Sequence, residues 1–244
     1  MLLLAIDAST RFSGLAILED DIVLAEYLSQ SRLTHSQRLL PAIDTLLADI
    51  NRPVSAIDAI VVSQGPGSFT GLRIGMSLAK GLAQGLHVPI VAVSSLLHWA
   101  ASLPCYAQDQ SEYILPMLDA QRGEFYCALY QRSEGRILEI VEPGARSWEQ
   151  LCGALPVFTT KDRVYLTGDV IPLHSERLST LCTAQMQLVS ASLAIPRPSA
   201  LGLLGLEQLR LGRQDSVITL APVYLRLSEA ERQRLLREQS LEPV

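Results

Sequence analysis

The chain has 244 residues, of which 48% are hydrophobic and 18% charged, and its 15 Gly and 13 Pro are close to ordinary usage. This composition excludes disordered, collagen-like and low-complexity chains and predicts one or two globular domains. The net charge of −5, from 20 Lys and Arg against 25 Asp and Glu, and the 5% aromatic content argue against binding nucleic acid mainly by phosphate neutralisation or base stacking.

The first hundred residues predict one compact unit. Three apolar runs separated by polar turns predict consecutive antiparallel strands, at 2–6, 15–18 and 22–28. The period then becomes helical, with Thr34 or Ser36 as the candidate cap of a first helix. The remaining predicted elements of this unit are strands at 59–63 and 89–93, a helix at 72–86 and a short helix that begins after Ser94 and Ser95. Together they predict a mixed sheet with flanking helices.

The second half repeats the opening of the first. A polar, proline-broken junction at 104–111 precedes predicted strands at 113–118, 124–131 and 136–141. Asp7-Ala8 and Asp119-Ala120 both end an opening strand before a turn of small residues, as a duplicated fold would produce. The later predictions are a strand at 164–166 and helices at 178–188 and 199–211. The predicted domains are 1–103 and 104–227, with a late helix able to pack back on the first, and a charged helical tail at 228–244.

The glycine-rich turn GPGSFTG (65–71) lies between a strand and a helix, where backbone N–H groups and the helix dipole can hold an anion. It is not a P-loop, because no Gly-Lys-Ser/Thr closes it, nor a nucleophile elbow, because Pro66 replaces the first glycine. Tight turns need glycine for backbone reasons alone, so a structural role stays open. The candidate anion-binding residues are Asp7, Ser9, Thr10, Gly67, Ser68 and Asp119.

The second predicted helix carries a ridge of small residues at a spacing of four, formed by Gly71, Gly75, Ala79 and Ala83. Glycine inside a helix costs about 1 kcal/mol relative to alanine, so close packing must offset this cost. The ridge packs either on the chain's own sheet or on a helix of another chain, and the apolar surface of the first helix favours another chain. The candidate partner-interface residues are Leu39, Leu40, Ile43, Leu47, Leu72, Gly75, Met76, Ala79 and Ala83.

Metal and thiol chemistry find little support in the sequence. None of the four histidines has a second His or a carboxylate four residues later, so we predict no metal site on one helix and no catalytic residue. The four cysteines, at 105, 127, 152 and 182, are widely spaced and are predicted to be reduced core thiols of a cytoplasmic protein. We expect neither a signal peptide nor a membrane anchor, because the start lacks a basic leader and no apolar run approaches about 18 residues.

Five segments together resemble the TsaB (YeaZ) family: LAIDAST (4–10), THSQRLLP (34–41), GPGSFTGLRIG (65–75), DAQR (119–122) and PVYLR (222–226). They occur in order over most of the chain, and the glycine-rich segment is the most specific. The resemblance implies an α/β fold of two similar actin-like ATPase superfamily (ASKHA) domains, each with a mixed five-stranded sheet and flanking helices.

The resemblance also implies a role in bacterial synthesis of threonylcarbamoyladenosine in tRNAs that read codons beginning with adenine. In this reaction an L-threonylcarbamoyl group passes from its adenylate to the exocyclic amine of the adenosine beside the anticodon. The catalytic subunit is a paralogue, TsaD, which binds a metal through two histidines four residues apart. Since Leu39 stands four residues after His35, the resemblance implies a noncatalytic scaffold that activates TsaD.

The expected partners are a TsaD-type subunit, a TsaE-type ATPase, a second copy of the chain when it is alone, and tRNA indirectly through the complex; no membrane is involved. The charged tail is expected to be a solvated helix face, with RNA contact as the alternative. No cofactor is required, and ATP or ADP binds weakly at most. The alternative function is a stand-alone enzyme of the same fold, either an ATP-dependent small-molecule kinase or a peptidase-like hydrolase.

Overall fold

The computed structural model describes residues 1–30, 34–105, 111–133, 135–179 and 185–226. The N-terminal lobe contains β1 (Leu2–Asp7), β2 (Ser13–Glu19), β3 (Ile22–Ser29), α1 (His35–Asp49), β4 (Ala59–Gly65), α2 (Phe69–Leu86), β5 (Ile90–Ser94) and α3 (Ser95–Ala101). The C-terminal lobe contains β6 (Ser111–Asp119), β7 (Glu124–Ser133), β8 (Arg136–Ser147), α4 (Trp148–Ala154), β9 (Asp162–Thr167), α5 (Ile171–Ser179) and β10 (Met186–Leu188). One further helix, α6 (Pro198–Arg210), follows them.

Each lobe is built on a five-stranded mixed sheet, and the two sheets have the same strand order. The first runs β3-β2-β1-β4-β5 and the second runs β8-β7-β6-β9-β10. In each sheet the first three strands pair in antiparallel fashion and the last two add in parallel. The repeated order confirms the duplicated two-domain arrangement predicted from the sequence.

The first sheet is covered on both faces, which explains why β1 is apolar at consecutive positions. Leu2, Leu4 and Ile6 pack against the core under α1 and α2. Leu3 and Ala5 point the other way and pack against α6. The segment predicted as the C-terminal domain, 104–227, therefore contributes α6 to the N-terminal lobe.

The two lobes share a hydrophobic core behind the space between them. Trp99 of α3 is fully buried and packs in one cluster with Ile114 and Leu115 of β6. The ring centroid of Phe12, from the β1–β2 turn, lies 6.3 Å from that of Trp99 in an edge-on arrangement. The β1–β2 turn of the N-terminal lobe is therefore packed, through Phe12, on a hydrophobic core that both lobes form.

The structure corrects two predictions. The helix predicted at 178–188 is wrong, because α5 ends at Ser179 and Met186–Leu188 forms a strand parallel to β9. Sheet pairing overrides the local apolar pattern there. Of the predicted core thiols, Cys127 is buried, but Cys105 and Cys152 are exposed. Cys182 and the predicted tail at 228–244 lie outside the described residues. Within the described chain, no helix is both long and apolar enough to cross a membrane.

Candidate functional site

A cavity of about 610 Å³ lies between the two lobes. The β1–β2 turn, the β4–α2 turn and the β6–β7 turn line it, together with the loop after β9 and the last described residues. Five of the six residues predicted to bind an anion line this cavity: Ser9, Thr10, Gly67, Ser68 and Asp119. The structure therefore brings residues more than 100 positions apart to one place.

Asp7, the sixth predicted residue, is fully buried and supports the turn from behind. Its Oδ1 accepts a hydrogen bond from the Ser9 N–H at 2.9 Å. Its Oδ2 lies 3.7 Å from His98 Nδ1, and Nε2 of the same histidine lies 2.9 Å from the Arg197 carbonyl oxygen. Asp7 therefore does not line the cavity itself. Its role in the structure is to shape the β1–β2 turn.

The glycine-rich turn is built by direct contact between two backbones. The Ser68 N–H donates to the Ser9 carbonyl at 2.7 Å, and a Cβ on Gly67 would lie 2.0 Å from that same carbonyl oxygen. Ser68 also caps α2, since its Oγ accepts the Gly71 N–H at 3.2 Å. Only glycine permits this approach. The structural role of the motif is thus established by its contacts, and the same contacts place the start of α2 at the cavity.

The opposite wall of the cavity is the β6–β7 turn of the C-terminal lobe. Asp119 Oδ1 accepts the Gln121 N–H at 2.7 Å, which repeats the turn geometry of Asp7 and Ser9. The Asp119 N–H donates to Asp169 Oδ1 at 3.0 Å. Three arginines, Arg11, Arg122 and Arg226, line the cavity together with these two aspartates. The lining therefore has an excess of positive charge over carboxylates.

Burial raises the pKa of Asp169 to about 6, while hydrogen bonding from the Asp119 N–H and the nearby Arg11 partly oppose this shift. The folded chain therefore holds this proton more tightly than the unfolded chain, whose pKa stays near 3.8. Folding stability falls as the pH rises from about 4 to about 6, and the cost is present in full above pH 6.

Replacing Asp169 with asparagine removes the buried charge and keeps an oxygen to accept the Asp119 N–H. We expect Asp169→Asn to stabilise the fold by about 1–3 kcal/mol at pH 8, with a gain that shrinks toward zero near pH 4. Urea unfolding of both proteins at several pH values measures this. A gain of equal size at pH 4 and pH 8 would show that the Asp169 charge is not its source.

The predicted partner-interface residues are mostly buried within the chain itself. Leu40 is half exposed, whereas the other eight are buried: Leu39, Ile43, Leu47, Leu72, Gly75, Met76, Ala79 and Ala83. A Cβ on Gly75 would lie 3.1 Å from Ala8 Cβ, directly after β1. The ridge of small residues thus packs on the chain's own sheet, one of the two predicted alternatives, and the assignment of these residues to a partner interface stays a prediction.

A second ridge on α2 points away from the sheet. Ser77, Gly81 and Gly85 are exposed at a spacing of four, and a Cβ on either glycine would meet no atom within 4 Å. The half-buried side chains of Leu78 and Leu82 lie on the same helix and pack against the core from its edge. Both ridges of α2 consist of small residues at a spacing of four. The sequence pattern therefore does not distinguish the buried ridge from the exposed one.

One Ser–His pair lies close to the cavity without reaching it. Ser13 Oγ is 2.5 Å from His35 Nδ1, and Ser13 is fully buried, so its hydroxyl has no access to a substrate. Burial, aided by Arg38, lowers the pKa of His35. In the described parts of the chain, no cluster of three or more His, Cys, Asp or Glu residues could hold a metal ion.

Comparisons with known proteins place the chain among TsaB proteins and match it to the related TsaD family model. The model of the family described as "TsaD: tRNA N6-adenosine threonylcarbamoyltransferase" matches residues 24–233. The tRNA threonylcarbamoyladenosine biosynthesis protein TsaB of Bacillus subtilis is 40% identical over 95% of this chain and 96% of that protein. The TsaB of Haemophilus influenzae is 29% identical over 92% and 93%, respectively. The solved structure of YeaZ from Pseudomonas aeruginosa is 28% identical with a TM-score of 0.77, covering 92% of this chain and 99% of that one. The chain therefore belongs to the TsaB (YeaZ) family.

Proposed function

We propose that this chain is a noncatalytic partner in the synthesis of threonylcarbamoyladenosine in tRNA. The Bacillus subtilis relative carries this pathway in its name and is similar to the chain along nearly its whole length. In the proposed reaction, L-threonylcarbamoyl passes from its adenylate to the exocyclic amine of the adenosine beside the anticodon. The chain supports a TsaD-type subunit that performs this transfer.

The observation that carries the noncatalytic role is the environment of position 39. Leu39 follows His35 by one helical turn on α1 and is fully buried in the core of the N-terminal lobe. His35 itself is paired with the buried Ser13 hydroxyl. A leucine side chain has no atom that can ligate a metal ion, so α1 cannot supply the pair of histidines that the TsaD paralogue uses.

The contact surface that we propose is the exposed ridge of Ser77, Gly81 and Gly85, flanked by Leu78 and Leu82. Small exposed residues at a spacing of four leave a groove into which the ridge of a second helix can pack closely. Gly81 in mid-helix costs about 1 kcal/mol relative to alanine, and the chain's own packing does not require a glycine there. A TsaD-type helix would occupy this groove in the working complex, which a TsaE-type ATPase completes, and a second copy of the chain would occupy it otherwise.

The interlobe cavity supports weak binding of ATP or ADP as part of the same proposal. Its volume of about 610 Å³ is within the range of small-molecule sites. Arg11 and the start of α2 at Ser68 give one wall the positive charge that phosphate oxygens require. In this proposal a nucleotide bound in the cavity takes part in no step of the transfer reaction, because the role of the chain is to support its partner.

The function is tested by mass spectrometry of nucleosides from bulk tRNA after depletion of the protein. We expect threonylcarbamoyladenosine to be lost and to return when the native chain is supplied. ATP turnover by the purified chain alone should stay at background and should not change in Asp119→Asn. A full level of the modified nucleoside in depleted cells would contradict the pathway, and ATP turnover abolished by Asp119→Asn would indicate an enzyme instead.

A further inference from the structure

The last described segment, residues 215–226, is a strap that crosses the N-terminal lobe after α6. At its start, the Asp215 N–H donates to the Ile90 carbonyl at 2.8 Å and the Ala92 N–H donates to Asp215 Oδ2 at 2.7 Å. Near its end, the Val223 N–H donates to the Gln64 carbonyl at 2.8 Å. The strap is therefore fixed to the β5 edge and to the end of β4.

Helix α2 holds the strap by its side chains. Lys80 Nζ donates to the Leu220 carbonyl at 2.8 Å, and Arg73 Nε donates to the Tyr224 hydroxyl at 3.1 Å. The Arg73 guanidinium lies 3.8 Å from the centroid of the Phe69 ring, whose centroid is 5.0 Å from that of Tyr224. Contacts of this kind combine charge with ring stacking. The strap is thus tied to α2 between Phe69 and Lys80.

At its end the strap reaches the other lobe through one side chain. Arg226 Nη1 donates to the Ala120 carbonyl at 2.5 Å and to the Gln121 carbonyl at 3.3 Å, and it lies 3.1 Å from Glu124 Oε2. Ala120 and Gln121 belong to the β6–β7 turn, which lines the cavity, and Glu124 is the first residue of β7. The Arg226 side chain is 23% exposed, so these charge-assisted bonds are partly shielded from water.

The turn that Arg226 holds has an unfavourable backbone. Gln121 and Arg122 have φ angles of 62° and 57°, in the left-handed region that residues other than glycine seldom adopt. Within the turn, the Ala120 N–H donates to the Glu124 carbonyl at 3.1 Å and the Glu124 N–H donates to the Gln121 carbonyl at 3.2 Å. Such a conformation persists only when its surroundings hold it in place. Arg226 supplies bonds to two of its carbonyls from outside the lobe.

We propose that Arg226 is a latch that ties the C-terminal wall of the cavity to the strap and, through the strap, to α2. The latched turn and the released turn are the two states of this device. A shift of α2 moves the strap and with it Arg226, and so changes the equilibrium between the latched and the released turn. The link to partner binding rests on the proposed use of α2 as a contact surface, whereas the latch itself rests only on the contacts within the chain.

Hydrogen exchange of the full chain tests the latch without a partner or nucleotide. Four amides in the turn and at its two ends are held by hydrogen bonds, those of Asp119, Ala120, Gln121 and Glu124. We expect Arg226→Ala to raise their exchange rates at least tenfold, while the amides of β1 keep theirs. The matched control is Arg136→Ala, which removes an exposed arginine of the same lobe and should change none of them. Unchanged exchange in Arg226→Ala, or an equal rise in the control, would overturn the proposal.

Two further variants separate the parts of the proposal. Glu124→Gln removes the ion pair and leaves the bonds to the carbonyls, so the four amides should change by less than threefold. Arg73→Ala leaves Arg226 intact but removes the hydrogen bond from α2 to Tyr224, two residues before Arg226, and it should raise exchange at the same amides at least threefold. A tenfold rise of the exchange rates in Glu124→Gln would show that the ion pair, not the bonds to the carbonyls, restrains the turn. Unchanged exchange rates in Arg73→Ala would contradict the proposed link between the turn and α2.

Discussion

Replacing Gly71 with alanine is expected to destabilise the chain by about 3 kcal/mol, which lowers Tm by roughly 6–12 °C for a chain of this size. The added Cβ would lie 2.1 Å from the Ala8 carbonyl oxygen and 3.3 Å from His35 Nε2. The first of these atoms belongs to the backbone at the end of β1, so relief requires the β1–β2 turn and α2 to move apart. Urea and thermal unfolding measure the loss.

The control for this substitution is on the same helix. A Cβ on Gly81 meets nothing within 4 Å, so Gly81→Ala should stabilise the isolated chain by up to about 1 kcal/mol through its helix propensity. Both substitutions add the same methyl group. They differ only in the side of α2 on which it lies. Equal stability of Gly71→Ala and the native chain would contradict the direct contact between α2 and the backbone after β1.

Replacing Gly81 with tryptophan is expected to leave the fold intact and to weaken association with the TsaD-type partner at least 100-fold, which corresponds to about 3 kcal/mol. The exposed ridge of α2 is open in the isolated chain, but a large ring would fill the groove in which we place the partner helix. Calorimetric titration of the purified partner measures the affinity, and urea unfolding confirms the fold.

Gly153→Trp is the matched control, because Gly153 also lies in a helix, α4, is exposed, and has nothing within 4 Å of an added Cβ. It should leave the affinity within about threefold of the native value, since α4 belongs to the other lobe. Native affinity in Gly81→Trp would show that the partner binds elsewhere, and an equal loss in both variants would assign the effect to tryptophan itself.

The sequence predicts the repeated architecture well because the signal is local. Apolar runs that end at Asp7 and Asp119 mark the opening strand of each lobe. The side chain of each aspartate accepts a hydrogen bond from the backbone N–H two residues later. Five of the six residues assigned to the anion site line one cavity for the same reason. They lie at or just after the ends of β1, β4 and β6, and the duplicated topology brings these strand ends together.

The sequence did not predict which side of α2 is buried against the sheet. Its two ridges of small residues have the same spacing, and only the position of the backbone at Ala8 decides that the ridge containing Gly75 is buried. The strap escaped prediction because it depends on contacts between distant positions. Arg226 bonds to Ala120, 106 positions earlier, and a local pattern carries no information about such a pair.

A reconstituted threonylcarbamoyl-transfer reaction tests the central claim. The claim is that this chain supports a catalytic partner through α2 and does not catalyse the reaction in its own interlobe cavity. The assay combines tRNA, threonylcarbamoyl adenylate, the TsaD-type and TsaE-type proteins and either the native chain or a variant, and measures threonylcarbamoyladenosine. We predict near-native yield with Asp119→Asn and with Gly153→Trp, and a loss of at least tenfold with Gly81→Trp. Full yield with Gly81→Trp together with loss in a folded Asp119→Asn protein would contradict the account and place the function in the cleft.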